Sequence, residues 1–148
     1  MNSPIALKAK LILRKNMEYN SLDTNIILRF LLNDVPAQTE KVVNLLTTPD
    51  RIFIIDDQAI TESVYVMSTN YKLQRPEIVA YLKVLEKIIN INFDHALFSE
   101  VFPLYLAHPK LSFNDCYLAV KARQSSAAPL YTLDQKLAAQ LPYAKLLA

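Results

Sequence analysis

The sequence predicts an α/β domain built on a parallel sheet. Short apolar runs of strand length alternate with longer stretches of helical periodicity, the pattern of βα units. The chain has 148 residues, enough for one domain that buries roughly 70% of its unfolded surface. With 52% apolar residues, 20% charged residues and a net charge of only +2, it has the composition of a folded globular protein and not of a disordered one.

Taken in order, Met17–Leu22 reads as a short first strand, followed by an apolar helix over Thr24–Leu32 that Asn33, Asp34 and Pro36 break. Ala37–Leu46 is the next helix. Ile52–Ile55 is the clearest strand, a run of residues suited to a buried pleated surface. Asp56-Asp57 offers an N-cap for a helix to about Asn70, and Pro76 fits the first turn of another, to about Lys87. Ile88–Phe93 is a weaker strand, and Asp94–Leu106 a helix with Pro103 as a local problem. Ser112 can cap a helix over Phe113–Arg123, Leu130–Thr132 is a last strand, and Asp134–Gln140 a last helix before Pro142. Residues 1–16 form a basic N-terminal extension, helical or flexible, ahead of a domain over 17–148.

Several function classes are excluded early. There is no glycine, so neither a dinucleotide-binding fingerprint nor a phosphate-binding P-loop exists, and turns fall to Asn, Asp, Ser and Pro. The single cysteine, Cys116, cannot form an intrachain disulfide and suits a reducing compartment. No apolar run is long enough to span a bilayer. Lys8, Lys10, Arg14 and Lys15 interrupt the N-terminal segment where a signal peptide would be apolar. A cytoplasmic protein without membrane attachment is the expectation.

Four carboxylates stand out. Asp115 shares a helical stripe with Leu118, Ala119 and Ala122, a stripe expected to face the core. Glu62 shares one with Ala59, Tyr65 and Val66 in a mostly apolar helix. Asp23 and Asp134 each follow a short strand and precede a helix. Each has a plain alternative: a solvated glutamate, an early-turn aspartate favoured by the helix dipole, or an N-cap. In parallel α/β sheets, however, ligand sites form beyond the carboxyl ends of strands. Carboxylates meeting there repel one another and call for a cation among them, or a proton on one. Oxygen-only ligands favour Mg²⁺ or Mn²⁺ over zinc, and such a metal suits phosphoryl chemistry. His95 and His108 lack ligand spacing with Cys116, and the serines lack a histidine–aspartate partner set.

These acids sit in recognisable surroundings. Ser21-Leu22-Asp23-Thr24-Asn25-Ile26-Ile27 resembles the first motif of PIN domains, Ile60-Thr61-Glu62-Ser63-Val64-Tyr65 the second, Phe113-Asn114-Asp115-Cys116-Tyr117-Leu118-Ala119 the third, and Tyr131-Thr132-Leu133-Asp134-Gln135-Lys136-Leu137 the fourth. The resemblance covers about Met17–Leu141, and in size and composition the chain is similar to the VapC-type toxins of bacterial toxin–antitoxin pairs. It implies a PIN-like α/β fold, with a central parallel sheet of about four to five short strands flanked by helices. It further implies Mg²⁺- or Mn²⁺-dependent endoribonuclease activity, with Asp23, Glu62, Asp115 and Asp134 as catalytic and metal-binding residues and Asn25 and Thr132 in support. RNA substrate, a homodimer and a small antitoxin partner are implied in the same way. The chain departs from the family pattern in the long segment before Asp23, in Ser125–Pro129 where glycine is usual, and in the extra acids Asp56-Asp57.

Arg29, Lys121, Arg123 and Lys136 are the basic residues nearest the motifs and so the candidates for RNA contact, although a solvated cation is the favoured reading of each. The alternative to a nuclease is a catalytically inactive PIN-fold binding module, whose usual mark is loss of one or more acids. A phosphotransferase with an aspartyl nucleophile would want Asp-x-Asp after the first strand, and here Asn25 holds the second place.

Overall fold

The structure, a computed structural model, describes residues 16–148. The expected N-terminal extension therefore lies, apart from Asn16, outside the described residues. The architecture is α/β as expected, with five short strands, all parallel, and seven helices among the described residues. The chain divides into two compact units, one ending at Phe93 and one beginning at Asp94.

The first unit contains β1 (Glu18–Ser21), α1 (Thr24–Leu32), α2 (Pro36–Leu46), β2 (Arg51–Ile54), α3 (Asp57–Thr69), α4 (Arg75–Glu86) and β3 (Ile91–Asn92). Its ladder runs β1–β2–β3, with Ser21 opposite Ile54 and Phe53 opposite Ile91. β2 is the central strand. Ile52 and Phe53, which point to opposite faces, are both buried, so the run is apolar throughout instead of alternating. Around it close Ile27 and Leu28 of α1, Ile60, Val64 and Met67 of α3, and Ile78, Leu82 and Leu85 of α4, all buried. The weak strand expected over 88–93 is only two residues long.

The absence of glycine leaves its trace in the turns. Asn33 ends α1 with φ 49°, Asp50 precedes β2 with φ 59°, and Ser126 follows α6 (Phe113–Gln124) with φ 57°. Asn and Asp tolerate this left-handed region best among residues with a Cβ. Lys72, with φ 53°, departs from the expectation that turns would use only Asn, Asp, Ser and Pro. Its neighbours fix the turn instead: the amide of Leu73 reaches back to the Met67 carbonyl at 3.0 Å.

The second unit contains α5 (His95–Ala107), α6, β4 (Leu130–Thr132), α7 (Gln135–Gln140) and β5 (Ala144–Leu146). Phe98, Phe102, Tyr105, Phe113 and Tyr117 bind α5 to α6 through ring contacts with centroids 5.2–6.2 Å apart, a favourable range for aromatic pairs. Pro103 does not break α5. Its ring and Ser99, whose carbonyl it leaves without an amide partner, are both on the exposed side, where water can satisfy that carbonyl. Cys116 is buried against this core, in keeping with a packing role. β5 has no strand signal in Ala-Lys-Leu; it exists through pairing with β4, where Leu147 N–H donates to Thr132 O at 2.9 Å and Leu130 N–H to Tyr143 O at 2.8 Å.

Because Phe53 is fully buried in the central strand, Phe53→Ala is expected to lower stability by about 3–5 kcal/mol. Denaturant unfolding checks this, and a loss below about 1 kcal/mol would remove β2 from the centre of the core.

Candidate active site

The first unit brings Asp23 and Glu62 to one cleft. Asp23 leaves the carboxyl end of β1 through buried Leu22 and is the N-cap of α1, its Oδ1 accepting from Ile26 N at 3.1 Å. This use of one oxygen satisfies an amide that the first helical turn cannot pair. The next residue, Thr24, is buried and donates from Oγ1 to Glu62 Oε2 at 2.9 Å. Thr24 thus ties the start of α1 to α3 across 38 residues of sequence. Asp23, Thr24, Asp56, Gln58, Ala59 and Glu62 line an open cleft of about 210 Å³.

Glu62 does not lie on the apolar stripe expected for it. The buried face of α3 is Ile60, Ser63, Val64 and Met67, whereas Glu62 is exposed and Tyr65 is 67% exposed. The abundance of apolar residues around Glu62 in sequence concealed which side of the helix it occupies. Asp56 caps α3 through Gln58 N at 2.9 Å, as expected, and also lines the cleft.

Asp115 and Asp134 belong to the second unit. Asp115 forms a capping box with Ser112: Ser112 N–H donates to Asp115 Oδ2 at 2.9 Å, and Asp115 N–H to Ser112 Oγ at 3.0 Å. The core stripe of α6 is Phe113, Cys116, Ala119 and Val120, so Asp115 is half-buried at its margin and Leu118 is exposed, contrary to the expectation of a stripe through Leu118. Asp134 caps α7 with Oδ1, accepting from Lys136 N at 2.8 Å and Leu137 N at 3.2 Å. Thr132 accepts from Asp134 N–H at 2.9 Å and so fixes that turn.

Asp23, Asp115 and Asp134 each commit one oxygen to a helix start, and among the described residues the second oxygen meets no donor. Asn25 is exposed in the first turn of α1, while the hydroxyl that holds an acid is that of its neighbour Thr24. Sequence reasoning passed over Thr24, although its signal was available: a hydroxyl residue beginning an apolar helix directly after the acid.

The donors at the cleft are all oxygen, with no histidine or thiolate. Among the described residues no three His, Cys, Asp or Glu side chains are grouped as a ready-made metal site. The Asp23–Glu62 pair, with Asp23 Oδ2 and Glu62 Oε1 available, still fits Mg²⁺, which keeps several waters and commonly takes only one or two protein carboxylates. A search among curated proteins returns no match to the chain. The PIN domain family matches residues 21–140, a span that includes all four acids.

The chain belongs to the PIN domain family. PIN domains are generally nucleases and typically depend on a divalent metal. The family span begins at Ser21, two residues before Asp23, and runs past Asp134. Among the described residues no helix is long and apolar enough to cross a membrane.

The basic residues of this PIN domain are partly engaged elsewhere. Arg29 donates from Nε to Gln38 Oε1 at 2.7 Å and from Nη1 to Asp34 Oδ1 at 3.1 Å and Tyr71 Oη at 3.3 Å, while Tyr71 Oη donates to Asp34. This network joins α1, α2 and the turn after α3, which accounts for a charge in an apolar run. Arg123 pairs with Glu100 and lies over the Tyr143 ring, 5.5 Å from its centroid. Lys121 is half-buried and Lys136 exposed.

The Tyr71 hydrogen bond, helped by the charge of Arg29, holds the Asp34 carboxyl below the usual carboxylate range, while partial burial acts the other way. The same tyrosine, with Asp34, holds Arg29 above its ordinary value. A depressed folded-state value means that Asp34 contributes stability above the ordinary carboxylate range and loses it as pH falls through the lowered value. Tyr71→Phe is expected to move the Asp34 titration upward, read by carboxyl NMR, and to destabilise the protein at neutral pH but not in strong acid. An unmoved titration would contradict the assigned cause.

Proposed function

We propose that this protein is a metal-dependent endoribonuclease acting through Asp23, Glu62, Asp115 and Asp134, and that it is the toxin of a bacterial toxin–antitoxin pair. The observation that carries the reading is the cleft of the first unit, where Asp23 and Glu62 are held together by buried Thr24 inside a PIN domain that retains all four acids. Retention of all four weighs against an inactive binding module. The toxin role rests on the similarity to VapC-type chains, and brings with it a small antitoxin, a homodimer and a cytoplasmic location.

Asp23 and Glu62 would hold the metal at the cleft of the first unit; Asp115 and Asp134 are the two further acids of the proposal. A bound Mg²⁺ or Mn²⁺ supplies the Lewis acid that polarises the scissile phosphate and activates a water. The protein's own part is positional. Capping fixes the Asp23, Asp115 and Asp134 carboxylates on helix starts, and Thr24 fixes Glu62, so little rearrangement is required when charge develops. Thr132 orients the turn carrying Asp134. Hydrolysis adds water across a P–O bond, leaving a terminal phosphate on one fragment and a hydroxyl on the other. Lys136, Lys121, Arg29 and Arg123 are the basic residues proposed for phosphate contact, of which Arg29 and Arg123 would have to leave the partners described above.

Purified protein, freed of any bound antitoxin, incubated with total RNA and tRNA in Mg²⁺, Mn²⁺ or EDTA, tests the proposal. Discrete fragments are expected in metal only, and Asp115→Asn is expected to lower cleavage by at least about a thousandfold with the thermal unfolding temperature unchanged, because asparagine keeps the cap. Cleavage that survives this change, or that persists in EDTA, contradicts the site. Thr24→Val removes the hydroxyl that holds Glu62 and is expected to weaken Mn²⁺ binding by about 10- to 100-fold in calorimetric titration; unchanged affinity would show that Glu62 needs no such hold.

A further inference from the structure

α3 carries a polar stripe along the cleft side, and one residue on it is out of character. Gln58, Glu62 and Tyr65 fall within a narrow arc of the helix, spaced four and three residues apart. The first two line the cleft. Tyr65 lies one turn further on with 67% of its surface exposed, and among the described residues its ring meets no aromatic or cationic partner. An exposed tyrosine alone is unremarkable. Here its helical neighbours are Thr61, Glu62, Ser68 and Thr69, all polar, so the helix itself adds no apolar surface beside the ring. A flat ring, isolated on a polar face beside a carboxylate of the acidic cleft, matches what a nucleobase requires: a stacking surface with water and hydrogen-bonding groups around it.

Resting on the nuclease reading, we infer that Tyr65 is a substrate-binding residue that stacks on an unpaired base next to the phosphate held at the Asp23–Glu62 cleft. The substrate class this selects is single-stranded RNA or an unpaired loop, since a paired base presents no free face. Side chains three apart on a helix have Cβ atoms about 5–6 Å apart, close enough for one nucleotide to engage both Glu62 and Tyr65.

The chain contains no tryptophan, so Tyr65→Trp places a single fluorescent reporter on the proposed platform. Its emission is expected to be quenched by a short oligo(A) RNA in EDTA, where no cleavage occurs, and not by an abasic oligomer of equal length. In metal, Tyr65→Ala is expected to raise KM for an unpaired substrate by about 5- to 150-fold, with kcat and thermal stability near wild type and with Tyr65→Phe restoring binding. Quenching in a protein that cleaves no RNA would uphold the platform and overturn the nuclease reading. Cleavage by the wild type without base-dependent quenching would overturn the platform alone. Dissociation of an oligomer by Tyr65→Ala, with KM unchanged, would reassign the residue to a protein interface.

Discussion

The constraint on which the rest of the site depends is the unpaired amides at helix starts. Every α-helix leaves its first N–H groups without internal acceptors, and this chain meets that need with aspartate at α1, α3 and α7 and with a Ser112–Asp115 box at α6. An aspartate that caps is held in place by one oxygen, and the second oxygen has no part in that bond. The same bonds that terminate the loops therefore also set the carboxylates.

The arrangement is rigid because of what lies behind it. β2 is buried on both faces, and α1 and α3 pack with it into one core through Ile27, Leu28, Ile60, Val64 and Met67. Asp23 and Glu62 emerge from those two helices, and Thr24 bridges them at a buried point. The acids are thus carried by regular elements and their first turns instead of by long loops. The Arg29–Asp34–Tyr71 network closes the far end of the same helices, so the charge of Arg29 is spent on architecture.

Much of this was legible in the sequence. Ile52–Ile55 announced the central strand, Asp56 and Ser112 announced caps, and the four motifs led to the family. Other features were not. The faces of α3 and α6 were misjudged, because both helices are apolar on several sides and periodicity then fails to choose the inward one: Tyr65 and Leu118 proved exposed. β5 was invisible because its three residues have no strand propensity and are ordered by pairing with β4. Thr24 was overlooked because its role is defined by a partner 38 residues away, a distance that local pattern does not reach.

The central claim is that capping and metal holding are separable duties of the same carboxylates. Thermal unfolding of Asp134→Asn and Asp134→Ala, with and without saturating Mn²⁺, tests it most directly. Without metal, Asp134→Asn should unfold with the wild type and Asp134→Ala earlier, by about 1 kcal/mol. With metal, the wild type should gain stability through binding to the folded state alone, and Asp134→Asn should gain much less. An Asp134→Asn protein that is stabilised by Mn²⁺ as strongly as the wild type would contradict the account, leaving Asp134 a cap and nothing more.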